Sequence, residues 1–183
     1  MRTELALERG TIDGERVSLT EADFDAFYRR NARALSSYLH RMVGDGAAAD
    51  DLSQKAWIQF YRAPLDSREE PRMRGLLYRV ATNLGIDFLR RRKREREGFF
   101  FLGRREGARD DRELHHDLGR AFERITPRER SLLWLAYVEG FDHREIASIA
   151  ALDEKSVKVL LFRARRRLAA VCRAMGLGPE VMR

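Results

Sequence analysis

From Thr20 onward, apolar residues recur at intervals of three and four, the spacing that lines up one face of an α-helix. Thr20-Glu21-Ala22-Asp23 can cap a helix that turns Phe24, Phe27, Tyr28, Leu35, Tyr38, Leu39 and Met42 inward. The stretch "GDGAAAD" breaks the chain, and a second helix follows through "DDLSQKAWIQFYRA", with Leu52, Ala56 and Phe60 at i, i+4 and i+8. Pro64 and Pro71 bracket a polar loop, "PLDSREEP". The next segment, "RGLLYRVATNLGIDFLRRRKR", predicts a helix that buries Leu77, Val80, Ala81, Leu84 and Phe88. No stretch combines alternation, β-branched residues and turn dipeptides as a strand would.

Periodicity lapses in "EREGFFFLGRREGARDDRE", a Gly-punctuated, charge-dense run that reads as a linker. A second helical unit begins near Leu114, with Leu114, Leu118, Ala121, Phe122 and Ile125 on one face. Thr126 as N-cap, Pro127 at the first helical position and Glu129 closing a capping box mark the start of "ITPRERSLLWLAYVEG", which Gly140 stops. Asp142 and Glu145 form a second capping box, "ALD" makes a turn, and Asp153 can cap a long final helix. Small Ala147 and Ala150 stand where two helices must approach closely. The order is helix, tight turn, helix, which is a helix-turn-helix.

The final helix divides into two stripes. Val157, Leu160, Leu161, Ala164 and Leu168 fall on one side; Lys155, Lys158, Val159, Phe162, Arg163 and Arg166 fall on the other. In a helix-turn-helix the second helix enters the major groove with its N-terminal half at the base edges. Lys155, Lys158 and Arg163 then suit phosphates or guanine acceptors, Ser156 a base or phosphate, and Val159 and Phe162 thymine methyls. An equivalent question attaches to the helix before the linker, where Arg79, Asn83, Ile86 and Arg90 share the face opposite the core. Asn is a poor helix former at mid-helix, so Asn83 asks for a partner. Of the aromatics Trp57, Phe60 and Tyr61, which could stack on unpaired bases, Phe60 sits on the core stripe.

Charge sharpens this picture. The 183 residues carry 36 Lys+Arg against 29 Asp+Glu, a net +7, which favours a polyanionic partner. No apolar run approaches the length of a membrane span, and the opening "MRTELALERG" lacks the apolar segment of a signal peptide, so a cytoplasmic location is expected without membrane insertion. The single Cys172 fits a reducing compartment, and with His115 and His116 it matches no metal-ligand spacing. Nucleotide-binding loops and the His-Glu-x-x-His pattern do not occur. No catalytic residue, metal, cofactor or small-molecule substrate is expected, and the protein does not read as an enzyme.

The segments "FDAFYRRNARALSSYL", "AADDLSQKAWIQFYRA", "GLLYRVATNLGIDFLRRRKR" and "ITPRERSLLWLAYVEGFDHREIASIAALDEKSVKVLLFRARRRL" together resemble bacterial sigma factors of the extracytoplasmic-function type, within the sigma-70 superfamily. The resemblance implies an all-α protein of two small helical domains joined by a flexible linker. It would comprise an N-terminal extension (1–20), a region 2 domain (21–97), the linker (98–113), a region 4 domain with the helix-turn-helix (114–176) and a short tail (177–183). By likeness, Asp51, Gln54, Lys55 and Trp57 would dock on the β′ clamp helices of core RNA polymerase, whose β flap would receive region 4. Asp66, Ser67, Arg68, Arg79, Asn83 and Arg90 would capture the opened strand of the promoter minus-ten element. Arg144, Lys155, Ser156, Lys158, Val159, Phe162, Arg163 and Arg166 would read the minus-thirty-five duplex. An anti-sigma factor is a further partner that the resemblance admits.

Two positions depart from the family pattern. Gln54-Lys55 with Trp57 stands where relatives commonly have Gln-Glu followed by Phe, and Val159-Leu160 stands where relatives are often more polar. Two rival readings also fit the residues: a stand-alone helix-turn-helix regulator, and a module whose basic faces meet an acidic protein. The Asp51/Gln54 helix and the Asn83 face are features that a simple repressor does not need.

Overall fold

A computed structural model describes residues 19–98 and 113–177. Among the described residues the chain forms seven α-helices: α1 (Glu21–Val43), α2 (Gly46–Arg62), α3 (Glu70–Gly98), α4 (Glu113–Glu123), α5 (Pro127–Tyr137), α6 (His143–Ala150) and α7 (Glu154–Ala174). The first three pack on one another, as do the last four.

Local chemistry sets most of the boundaries. The Thr20 hydroxyl accepts from the Asp23 amide to start α1, and the Asp45 carboxylate accepts from the Ala48 amide to start α2. Gly44, at φ 69°, turns the chain between them while its amide donates to the His40 carbonyl; a residue with a Cβ is strained in that left-handed conformation. Thr126 and Asp142 both sit in reciprocal capping boxes: each cap side chain accepts from the backbone amide of Glu129 or Glu145, whose carboxylate accepts from the cap's backbone N–H, as their spacing predicts.

The third helix departs from expectation at its start. It begins at Glu70, so Pro71 lies in its first turn and does not close the preceding loop. An N-terminal turn has no intrahelical partner for its N–H groups, and proline lacks one to waste. The same helix runs to Gly98, taking in the basic stretch after Phe88. The "FFFL" segment lies outside the described residues.

The core is built by the predicted stripes. Phe27, Leu35, Tyr38, Leu39 and Met42 of α1 meet Leu52, Ala56 and Phe60 of α2 and Leu77 and Ala81 of α3, all buried. Val80, Leu84 and Phe88 are half-buried against that cluster. Tyr28, expected inward, is 42% exposed. It sits at the rim of an aromatic group in which its ring lies 4.8 Å from that of Trp57. In the second unit Ala121, Ile125, Leu132, Leu133, Leu135, Ile146, Ile149, Val157, Leu161 and Ala164 are buried.

The two units are joined by a seam in which α5 packs on α1 and α6 on α3. Tyr38 on α1 bridges it: its hydroxyl lies 2.7 Å from the Thr82 hydroxyl of α3 and 2.6 Å from the Ser131 hydroxyl of α5. Burial pushes the Tyr38 phenol up to about 12, against hydrogen bonds from Ser131 and Thr82 that pull it down. Arg74 of α3 donates to the Glu139 carboxylate at 3.1 Å and to the Glu139 carbonyl at 3.2 Å. That carboxylate also accepts from the Trp134 indole at 2.9 Å. The Arg74 guanidinium lies 4.9 Å from the centroid of Phe141, whose ring meets Tyr78 edge-on at 5.1 Å. Arg130, buried on α5, approaches Gly44 at the end of α1, and burial holds its guanidinium below the usual arginine range. Among the described residues no helix is long and apolar enough to cross a membrane.

Candidate nucleic-acid interface

The helix-turn-helix is shaped by three short contacts. In the capping box of α6, the Asp142 carboxylate accepts from the Glu145 amide and the Glu145 carboxylate from the Asp142 amide, each at 2.8 Å. Ala151 then takes a left-handed conformation (φ 50°, ψ 55°), and the Leu152 amide donates back to the Ala147 carbonyl at 2.9 Å. Alanine pays some strain there that glycine would not. Asp153 accepts from the Lys155 amide at 2.8 Å and starts α7. Its carboxylate also sits at the positive end of the helix dipole.

The two stripes of α7 are arranged as the periodicity predicts. Val157, Leu161 and Ala164 are buried and Leu160 and Leu168 half-buried, whereas Lys155, Ser156, Lys158, Arg163 and Arg166 are exposed. Val159 and Phe162 remain 48% and 51% exposed among these cations. The Arg166 guanidinium lies 5.8 Å from the Phe162 ring centroid. Arg144, on the first turn of α6, is also exposed. A cationic ridge with an apolar centre therefore projects from the second helix of the motif, and the seam with the first unit does not cover it.

On α3 the exposed face carries Arg79, Asn83 and Arg90, with Ile86 half-buried beside them. Arg90 lies 3.8 Å from the Asp87 carboxylate, and an open cleft at this end of α3 is lined by Asp87, Arg90, Arg91, Lys93 and Arg94. Arg91, Lys93 and Arg94, which line that cleft beside Arg90, belong to the "RRRKR" run that continues the helix. Asn83 is exposed, so burial does not account for it. In the preceding loop Asp66 is exposed, the Ser67 hydroxyl accepts from the Glu69 amide at 3.0 Å, and Arg68 lies 3.7 Å from Asp23. The loop is thereby held against α1 and the start of α3.

On α2, Asp51, Gln54 and Lys55 are exposed, and Lys55 donates to Asp51 at 2.6 Å. Trp57, which by sequence alone fits either the core or a contact surface, departs from the polymerase contact that the resemblance implied. It is only 6% exposed and packs edge-on against Phe24 and Phe27. A contact surface made by its indole is corrected to a core position: the ring is too large to be left out when Phe24, Phe27 and Phe60 surround it. Ile58 and Tyr61 are the exposed apolar residues of this helix, 50% and 59% open. Among the described residues no cluster of His, Cys, Asp and Glu could hold a metal ion.

Comparison with known proteins supplies the family. The sigma-70 region 2 family model matches residues 27–95, and the sigma-70 region 4 model matches residues 115–168. The extracytoplasmic-function sigma factor SigE of Mycolicibacterium smegmatis is 28% identical over 154 residues, covering 79% of this chain and 60% of that protein. SigM of Bacillus subtilis, of the same type, is 26% identical over 153 residues, covering 80% of this chain and 93% of that protein. Among solved structures, the sigma factor RpoE in complex with the anti-sigma factor NepR from Bartonella quintana shares the fold. Its TM-score is 0.64 at 22% identity, covering 82% of this chain and 97% of that one. CnrH in complex with the cytosolic domain of CnrY gives 0.60 at 22% identity, covering 85% and 90%. With region 2 and region 4 both matched in order and both named relatives of one type, the chain belongs to the sigma-70 family as a sigma factor of the extracytoplasmic-function type.

Proposed function

We propose that the protein binds core RNA polymerase in the cytoplasm and directs it to promoters by reading two DNA elements with its two domains. The observation that carries this reading is the cationic ridge of α7, exposed on the second helix of a helix-turn-helix and left uncovered by the seam. Lys155, Lys158, Arg163 and Arg166 meet the phosphates flanking the minus-thirty-five major groove and its guanine acceptors, with Arg144 and Ser156 at the same end. The exposed Arg79, Asn83 and Arg90 face of α3, with the Asp66–Arg68 loop, receives the opened minus-ten strand. Asp51, Gln54 and Lys55 on α2 form the polymerase-docking surface. The β flap holds region 4.

Extruding a base costs a few kcal/mol, and the sequence holds no nucleotide-hydrolysing loop. Stacking, hydrogen bonds from Asn83 and the polymerase's own grip on DNA must offset that cost. The protein therefore acts as an initiation factor within the holoenzyme, not as a catalyst. An anti-sigma protein is a second partner, a reading supported by the sigma factor RpoE of this fold, solved with the anti-sigma factor NepR.

Run-off transcription by core polymerase over a promoter library, with and without the protein, tests the whole reading. Promoter-dependent transcripts should appear only with the protein, and their absence across a broad library overturns it. Within that assay Asn83→Ala should slow open-complex formation and leave closed-complex binding intact.

A further inference from the structure

The centre of the α7 ridge is apolar. Val159 and Phe162 are three residues apart and roughly half exposed, while Val157 and Leu161 on the same helix are buried. At that spacing two side chains are neighbours on the helix surface, with Cβ atoms about 5–6 Å apart. A single exposed apolar residue on a helix is ordinary. A pair set on the second and third turns, with Lys155, Lys158, Arg163 and Arg166 around it, is a shaped surface.

Charge decides what covers that surface. Among the described residues none of those four cations forms an ion pair with a carboxylate, so the ridge suits a polyanion. A helix lying in a major groove turns its flanking cations to the phosphates and its ridge to the base edges. Val159 and Phe162 have no donor or acceptor and so cannot read a hydrogen-bonding pattern. The major-groove feature that an apolar side chain complements is the C5 methyl group of thymine. The Arg166 guanidinium stands beside the Phe162 ring, whereas Val159 lies one turn nearer the start of α7, the half of a recognition helix that meets base edges.

We propose that Val159, flanked by Phe162, is a specificity-determining residue that selects a thymine methyl in the duplex read by α7. This rests on α7 being the duplex-reading helix, and the experiment separates the two ideas.

Holoenzyme assembled with the full chain is bound to an upstream duplex taken from the active promoters, and each thymine is replaced in turn by deoxyuridine. That exchange removes one methyl and nothing else. At one or two positions it should weaken binding about four-fold, the factor associated with burying one methyl-sized group. Val159→Ala, at an exposed position, should fold with an unchanged melting temperature and bring that thymine-to-uracil ratio close to one. Lys158→Ala should weaken both duplexes equally and keep the ratio.

If no exchange affects the parent protein while Lys158→Ala still weakens binding, methyl selection is overturned and duplex reading by α7 stands. A ratio that survives in Val159→Ala overturns the assignment to Val159. If Lys158→Ala and Arg163→Ala both bind the duplex normally, duplex reading by α7 itself fails, and the apolar pair faces a protein.

Discussion

The Arg74–Glu139 pair joins the two domains, and replacing Arg74 with alanine should loosen them without unfolding either. The side chain of Glu139 is 5% exposed and that of Arg74 29%. Removing one partner of a buried pair costs about 3–5 kcal/mol because the other charge is left without compensation. Water reaches Arg74, and the Trp134 indole still donates to Glu139, so about 2 kcal/mol is the better figure here. Loss of the guanidinium from the Phe141 ring adds about 0.5–1 kcal/mol. The total, about 2.5–3 kcal/mol, corresponds to a roughly seventy- to hundred-and-sixty-fold shift from closed toward open domains. Arg74 is a cleaner target than Glu139, whose loss would also free Trp134 inside region 4. The shift can be read by energy transfer between dyes on Gln59→Cys and Ala170→Cys, both exposed positions. Cys172 interferes little, since it is buried and burial raises its thiol above the usual range. In urea the parent should lose energy transfer and helical signal together, whereas Arg74→Ala should lose energy transfer first. Glu139→Gln, which keeps an oxygen acceptor, should shift less. Coincident transitions with an unchanged midpoint in Arg74→Ala would refute the assignment of the seam's strength to this pair.

Other outcomes follow from the same structure. Tyr38→Phe removes the hydroxyl between Thr82 and Ser131 and should cost about 1–2 kcal/mol in chemical denaturation. The Tyr38 phenol is held up at about 12, above its ordinary 10, so its contribution is full below pH 10 and is lost as pH rises from there through 12. Parent stability should therefore fall by about 2–3 kcal/mol over that range, and Tyr38→Phe should flatten that part of the profile. Gly75→Ala should raise the melting temperature by about 2–4 °C in thermal scans, because a methyl group there meets nothing within 4 Å and a helical glycine costs about 0.5–1 kcal/mol. Lys158→Ala and Arg163→Ala should each lower the salt dependence of upstream duplex binding by about one unit of slope, measured by titration across salt concentrations.

Local signals in the sequence carried far where the chemistry was itself local. The capping boxes at Thr126/Glu129 and Asp142/Glu145 are reciprocal bonds across three residues, so spacing alone specifies them. The α7 stripes were legible for the same reason: one face must bury Val157, Leu161 and Ala164, and the other is what remains. Pro71 misled because a proline closes a loop or opens a helix with equal ease, and only the backbone distinguishes them. Trp57 and Tyr28 lie near the edge of the α1–α2 stripe. Their burial depends on how the large rings of α1 and α2 share the gap between those helices, which the hydrophobic pattern of either helix alone does not give. The seam was not legible at all. Arg74, Glu139, Tyr38 and Ser131 are far apart in the chain, and each alone reads as an ordinary surface or core residue.

The seam and the exposed face of Arg79, Asn83 and Arg90 occupy different sides of one helix. On α3 the seam uses Arg74, Tyr78 and Thr82, while Arg79, Asn83 and Arg90 look outward. At 100° per residue the two sets are centred roughly 120° apart. Closure therefore leaves the Arg79/Asn83/Arg90 face of α3 exposed, and on α7 it leaves the ridge uncovered too. What closure limits is distance. A compact chain of this length has a radius of gyration of about 16 Å, whereas elements centred near minus-ten and minus-thirty-five are separated by about 80 Å of duplex. On the proposed reading, each domain can meet its own element while the seam is shut, but both cannot do so on one promoter. Under the proposed function, loosening the seam should thus leave binding to either isolated element unchanged and raise the rate at which the free protein enters holoenzyme. A seam variant such as Arg74→Ala that binds core polymerase no faster than the parent, with its domains shown to be open, would mean that polymerase accepts the closed form and parts the domains afterwards.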